Sequence, residues 1–219
     1  MLRGRTRFVA TRAAIGLAVA LLAAGGVVLW ATGLSLLPPS LTGEADRLAE
    51  LLRIKPGMVV AEIGAGGGDL TVAIARKLGA TGRIYSTELD GRRRDDIRRA
   101  AQRAELGNVM VVEAGERETN LPPGCCEAIF MRQVYHHIGD PASFNRSVRA
   151  SLKSGGLFAV IDFERMWGLP RIENAPAGRN GHGTPREALV KEVTAAGFVH
   201  EQTIDDWSGQ LYLVLFRAP

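Results

Sequence analysis

The stretch Met58-Val59-Val60-Ala61-Glu62-Ile63-Gly64-Ala65-Gly66-Gly67-Gly68-Asp69 limits what this chain can fold into more than any other. An apolar run carrying one acid breaks into glycines, and Leu70, Ile74 and Leu78 then recur at helical spacing up to Gly79. The pattern predicts a buried strand, a glycine turn and a helix. Such a turn lets backbone come into contact with a ligand, and the first helical N–H groups point at it. The glycines Gly64, Gly66 and Gly68 fall as G-x-G-x-G, whereas a dinucleotide fingerprint needs glycine where Asp69 stands. A carboxylate there opposes a pyrophosphate. Glu62 also repels phosphate but attracts an ammonium, so the ligand indicated is a nucleoside carrying a cationic group.

This E-x-G-x-G-x-G run resembles the cofactor motif of the Rossmann-like, class I S-adenosylmethionine-dependent methyltransferases. The resemblance covers residues 41 to 219 and implies methyl transfer with S-adenosyl-L-methionine as cofactor. It assigns cofactor binding to Glu62, Gly64, Ala65, Gly66 and Gly68. It also gives the ribose hydroxyls to Glu88, twenty residues after Gly68 at the end of the second predicted strand. An acid at that place alone would equally fit an NAD enzyme. In Glu113-Ala114-Gly115-Glu116, after the third strand, Glu116 best matches the acid that the family bonds to the adenine amino group. Leu121-Pro122-Pro123-Gly124-Cys125-Cys126-Glu127 resembles the family's L-P-x-G-x-x-D lead-in, with Glu127 in place of the aspartate.

The rest of the chain repeats the strand–helix pattern. Strands are expected at 84–88, 109–112, 128–131 and 157–161, and helices at 92–106 and from Asp140-Pro141 through Leu152. Near-continuous apolar strands alternating with helices imply an α/β fold with a parallel sheet covered on both faces. Thr184-Pro185-Arg186-Glu187 reads as a capping box opening a helix through Val193. The last strands, 198–203 and 211–216, are joined by too few residues for a parallel crossover, so they pair antiparallel. A mostly parallel seven-stranded sheet finished by an antiparallel hairpin is what the resemblance implies. The adjacent Cys125 and Cys126 are poorly placed for a structural bridge and read as buried filler, and no metal-ligand spacing occurs.

On the acceptor side, Val134-Tyr135-His136-His137 after the fourth strand resembles the V-x-H-H segment of small-molecule methyltransferases, including those acting on quinones. Tyr135, His136 and His137 are the catalytic candidates. One histidine could serve as a base near neutral pH, while at least one packs or braces the turn. Asp162 and Glu164 end the fifth strand at the same mouth. Residues 166–183, with Trp167, Arg171, Arg179 and His182, form a long loop expected over the acceptor.

The formal net charge of +4 comes wholly from Arg3, Arg5, Arg7 and Arg12; beyond residue 40, basic and acidic residues are equal in number. A neutral domain gives no case for nucleic acid. Arg92, Arg93, Arg94, Arg98, Arg99 and Arg103 make the second helix basic; a solvated face outweighs a headgroup-binding one. Residues 13–37 carry no charge and, as a helix, would span about 37 Å, enough for a hydrocarbon core of ~30 Å. A single-pass anchor in a leader of residues 1–40 is favoured over a cleaved signal or a transit peptide. Positive-inside orientation would put the domain across the membrane from the cytosol, where the cofactor is made.

Three function classes follow. The first is methyl transfer to a small-molecule or lipid/quinone-like acceptor. The second is a membrane-tethered, catalytically silent nucleoside-binding module. The third, an NAD-type oxidoreductase, is opposed by Asp69.

Overall fold

Each central strand sends alternate side chains into two apolar layers, and this alternation explains why the sheet is covered on both faces. Val60, Ala128 and Phe130 join one core with Leu48, Ile74 and Leu78; Ala61, Ile129 and Met131 join the other with Phe144, Val148 and Leu189. The computed structural model describes residues 41–164, Pro176 and residues 182–219. The anchor expected at 13–37 and most of the 166–183 loop, with Trp167, Arg171 and Arg179, lie outside the described residues. Among the described residues, no helix is long and apolar enough to cross a membrane.

The elements run α1 (Leu41–Leu51), β1 (Val59–Ile63), α2 (Asp69–Leu78), β2 (Arg83–Glu88), α3 (Gly91–Arg103) and β3 (Val109–Glu113). They continue with β4 (Cys126–Arg132), a 3-10 turn (Tyr135–His137), α4 (Pro141–Ser151), β5 (Leu152–Phe163), α5 (Arg186–Ala195), β6 (Val199–Ser208) and β7 (Leu211–Arg217). The seven strands lie in the order β3-β2-β1-β4-β5-β7-β6. The first five are parallel, and β7 runs antiparallel to both β5 and β6. From β1 the chain winds outward to β3 and then returns to place β4 on the other side of β1. Strand order therefore reverses between β1 and β4, and a crevice opens at their carboxyl ends.

Several expectations need correction. The helix expected through Leu152 stops at Ser151, because Leu152 already pairs with Cys126 and opens β5; the register then shifts before Ala128. β6 extends to Ser208, with bulges that turn Trp207 into the core. Thr184 forms no capping box: its Oγ1 is buried without a partner, and the Arg186 N–H at the start of α5 donates to Glu164 Oε1 at 3.2 Å. Cys125 and Cys126 are joined to each other in a vicinal disulfide, which closes no loop of chain. On α3, Arg98 pairs with Asp95 (2.7 Å), Arg99 with Asp96 (2.6 Å) and Arg94 with Glu113 (3.4 Å). The reading of this basic run as a solvated face, partly balanced by Asp95 and Asp96, therefore needs no correction.

Candidate cofactor and acceptor site

The crevice between β1 and β4 holds a cavity of about 410 Å³. Its floor is the turn after β1. The N–H groups of Gly64 and Ala65 both donate to Thr87 O on β2, at 2.9 and 3.0 Å, which draws the glycine backbone across the strand ends. Gly64 sits at φ +70°, and a Cβ there would collide with Val134 Cγ2 after β4. Bare backbone is required at this point.

Of the residues assigned to cofactor binding, the structure brings Glu62, Gly64, Ala65, Gly66 and Glu88 together on the lining of this cavity. Glu88 Oε2 accepts from Gly66 N at 3.0 Å and Oε1 from Leu89 N at 2.9 Å, so the acid is aimed across the loop by backbone donors. Gly68 stands outside the lining; a Cβ on it would press at 3.2 Å on Ile97 Cα, so its bareness serves the packing of α3. Glu116 is exposed and also outside the lining, which is completed on that side by Ala114 and Gly115.

Glu62 is buried, accepts a hydrogen bond from Thr71 Oγ1, and Thr71 in turn lies 2.8 Å from Ser86 Oγ. Burial, the largest influence, pushes Glu62 up to about 8 against the pull of the Thr71 hydrogen bond. The folded domain keeps this proton while the unfolded chain loses it near pH 4.5, so the ligand-free protein should lose stability as pH rises from about 4.5 to about 8. Glu62→Gln, which cannot ionise, is expected to flatten that slope. Thermal midpoints of both proteins across this pH range check it, and parallel slopes would refute the burial argument.

The three catalytic candidates separate. Tyr135 is fully buried, with its hydroxyl donating to Glu192 at 3.0 Å and accepting from Asn145 Nδ2 at 2.8 Å; it holds the turn against α4 and α5. His136 is also buried and lies outside the cavity lining. Its Nδ1 is 2.8 Å from Asp162 Oδ1, and its backbone N donates to Asp162 Oδ2 at 2.9 Å. Only His137 faces the cavity, beside Val134, Ile138 and Phe144. Its pKa lies below the ordinary imidazole value, first through burial and then through the neighbouring His136 and His182, with Asp162 opposing.

His182 enters this cluster from the far side of the 166–183 segment. It stacks on Phe163 at 5.7 Å and lies 5.1 Å from the His136 ring and 6.1 Å from the His137 ring. Gly183 permits the approach, since a Cβ there would fall 2.6 Å from Glu164 O. Asp69, read from the glycine spacing, lines the cavity too, as do Leu89, Arg93 and Arg132, which that spacing did not single out. A signal for Arg132 was present, because it closes the strand whose carboxyl end borders the crevice.

These features fit S-adenosylmethionine. Exposed glycine backbone and Glu88 suit a nucleoside, while Asp69 and Glu88 disfavour phosphate and suit a cation. Residues 61–160 match the family described as a methyltransferase domain. The chain is 28% identical over 116 residues to a ubiquinone/menaquinone biosynthesis C-methyltransferase of Idiomarina loihiensis, covering 51% of this chain and 45% of that protein. It thus spans under half the length of the curated relatives it matches. Among solved structures, a SAM-dependent methyltransferase from Aquifex aeolicus superposes with a TM-score of 0.68 at 19% identity, covering 80% of this chain and 89% of that one. Geranyl diphosphate C-methyltransferase from Streptomyces coelicolor gives 0.66 at 15% identity, covering 81% and 79%. Residues 61–160 thus match a methyltransferase domain, and the described residues share the fold of S-adenosylmethionine-dependent methyltransferases. The cofactor of that fold is S-adenosylmethionine, and the β1 turn and Glu88 line the cavity that would take it.

Proposed function

We propose that this chain methylates a small, lipid-like acceptor of the quinone or prenyl kind, and that residues 13–37 tether it to the membrane where such an acceptor resides. The observation that carries the reading is the position of His137, a titratable base on the same cavity as the glycine turn, at an end made apolar by Val134, Ile138 and Phe144. The names of the Idiomarina loihiensis relative and the Streptomyces coelicolor neighbour, both C-methyltransferases, support an acceptor of this class.

The cofactor, when bound, supplies an electrophilic methyl on a sulfonium. The protein's part is alignment and proton removal. Holding an acceptor in line can supply about 7–11 kcal/mol of the barrier. Val134, Ile138 and Phe144 would exclude water from the acceptor, and Glu88 and the glycine turn would fix the nucleoside end. His137, kept neutral at pH 7 by its lowered pKa, would take the proton that an enol or a ring carbon gives up.

The test is incubation of the purified full chain with methyl-labelled cofactor and a total lipid extract containing reduced quinones. Label is expected in the organic phase. Its absence, with the demethylated cofactor still bound, would favour the silent binding module instead. His137→Ala should lower turnover by about 10²–10⁴-fold and remove the acidic limb of the pH–rate profile, which otherwise rises with pH through a midpoint below 6.5. An unchanged limb would eliminate His137 as the base. Retention of the chain in membranes after an alkaline carbonate wash tests the tether.

A further inference from the structure

One carboxylate bonded to a lining residue of this crevice, Arg132, comes from outside the sheet. Glu44, on α1, has a side chain only 2% exposed. Its Oε1 accepts from Arg132 Nε at 2.8 Å and from Trp207 Nε1 at 2.9 Å. Trp207 is gripped in turn by α1: Arg47 Nη1 donates to its carbonyl at 2.6 Å, and the Arg47 guanidinium lies 4.2 Å from its ring centroid. Three elements distant in sequence, α1, the end of β4 and the bulge of β6, therefore converge on one buried charge.

What that charge orients is Arg132. The guanidinium lines the cavity, its Nη1 donates to Gln133 Oε1 at 2.6 Å, and its Nη2 has no partner among the described residues. Burying a charged carboxylate is costly unless it is paired, so a buried acid spent on aiming a guanidinium marks that guanidinium as bound for a further anion. The cavity otherwise presents Asp69 and Glu88, which would repel one. Arg132 is also near enough to Glu62 for its charge to favour the ionised acid. In an α-amino acid the ammonium and the carboxylate hang on one carbon. A ligand whose ammonium is drawn to the acidic end of the cavity, by Asp69 and Glu88, thus carries its carboxylate toward Arg132.

We propose that Arg132 is the anchor for the carboxylate of the cofactor's amino-acid arm, and that Glu44 is the positioning residue that makes the first helix part of this anchor. The proposal rests on the cofactor assignment above and adds which of this chain's residues reads the end of the ligand remote from the nucleoside. It assigns α1 a role in recognition: a ligand with the amino-acid arm is read partly by a helix that precedes the sheet, and one without it is not.

Calorimetry of the purified full chain with two ligands separates the possibilities. Adenosylhomocysteine carries the arm, and 5′-methylthioadenosine keeps the nucleoside and thioether but lacks it. Arg132→Met should weaken adenosylhomocysteine by about 10- to 100-fold, the usual worth of charge-assisted hydrogen bonds, and change methylthioadenosine by less than about threefold. Glu44→Gln, which keeps shape and the tryptophan contact, should weaken adenosylhomocysteine by roughly 5- to 20-fold with methylthioadenosine again spared. Equal losses for both ligands, or no loss for either in Arg132→Met, would overturn the anchor. Loss in Arg132→Met without loss in Glu44→Gln would overturn the role of the helix. A wild-type chain that binds neither ligand would remove the cofactor assignment itself, a result distinct from all of these.

Discussion

Replacing Gly64 with alanine is expected to be among the most damaging single changes in the domain, although it adds one methyl group. Two independent costs fall on it. An L-residue held at φ +70° gives up about 1–2 kcal/mol. The new Cβ also runs into Val134 Cγ2, an overpacking that typically costs about 1–3 kcal/mol. Together they predict a loss of about 2–5 kcal/mol, or a melting midpoint lower by roughly 5–15 °C. Pairing Gly64→Ala with Val134→Ala should recover the steric share and leave the backbone share, so that the double variant melts above Gly64→Ala alone. Binding of adenosylhomocysteine should fall with the single variant, because Gly64 lines the cavity. A variant that melts and binds like the parent would mean that the turn after β1 adopts a different backbone.

The second large effect is expected at Asp162. Its carboxylate is fully buried and is met by the His136 imidazole at 2.8 Å and the His136 and Phe163 N–H groups at 2.9 and 3.0 Å. Asp162→Ala strands these donors and should cost about 3–5 kcal/mol, seen as a lower urea midpoint. Asp162→Asn keeps the volume and an acceptor, so most of that stability should return. The charge does not return. Asp162 is the group that opposes the lowering of His137, so the acidic limb of the pH–rate profile should move to lower pH in Asp162→Asn. A structural brace alone would leave that limb where it was.

Much of the framework was legible because burial on both faces writes itself as continuous apolar runs. Val59 to Ile63, Ala128 to Met131 and Leu157 to Ile161 could be neither surface strands nor amphipathic helices. The glycine turn was legible for the same local reason: strand, bend and helix are adjacent in sequence. What escaped depended on distance. Nothing in the spacing of Glu44, Arg132 and Trp207 brings them together; that meeting needs the sheet order and a bulge that rotates one residue of β6. Likewise Thr184 looked like a cap because its neighbours fit a local pattern, but the carboxylate of Glu164, brought across from β5, reached the helix start instead. The V-x-H-H segment gave three polar rings in a row without saying which faced the ligand. A tight turn points successive side chains in different directions, and only the packing of α4, α5 and β5 against it assigned them.

The placement of β7 bears on how the protein is made. It is translated after every other strand, yet it lies between β5 and β6, with every residue from Leu211 to Phe216 buried. Until those residues leave the ribosome, β5 presents a bare apolar margin and β6 has nothing to join, so the nascent domain passes through a stage in which half its central sheet invites pairing with other chains. A premature stop near Gly209 would therefore yield a sticky, chaperone-dependent fragment, even though every residue lining the cofactor cavity would already have been synthesised.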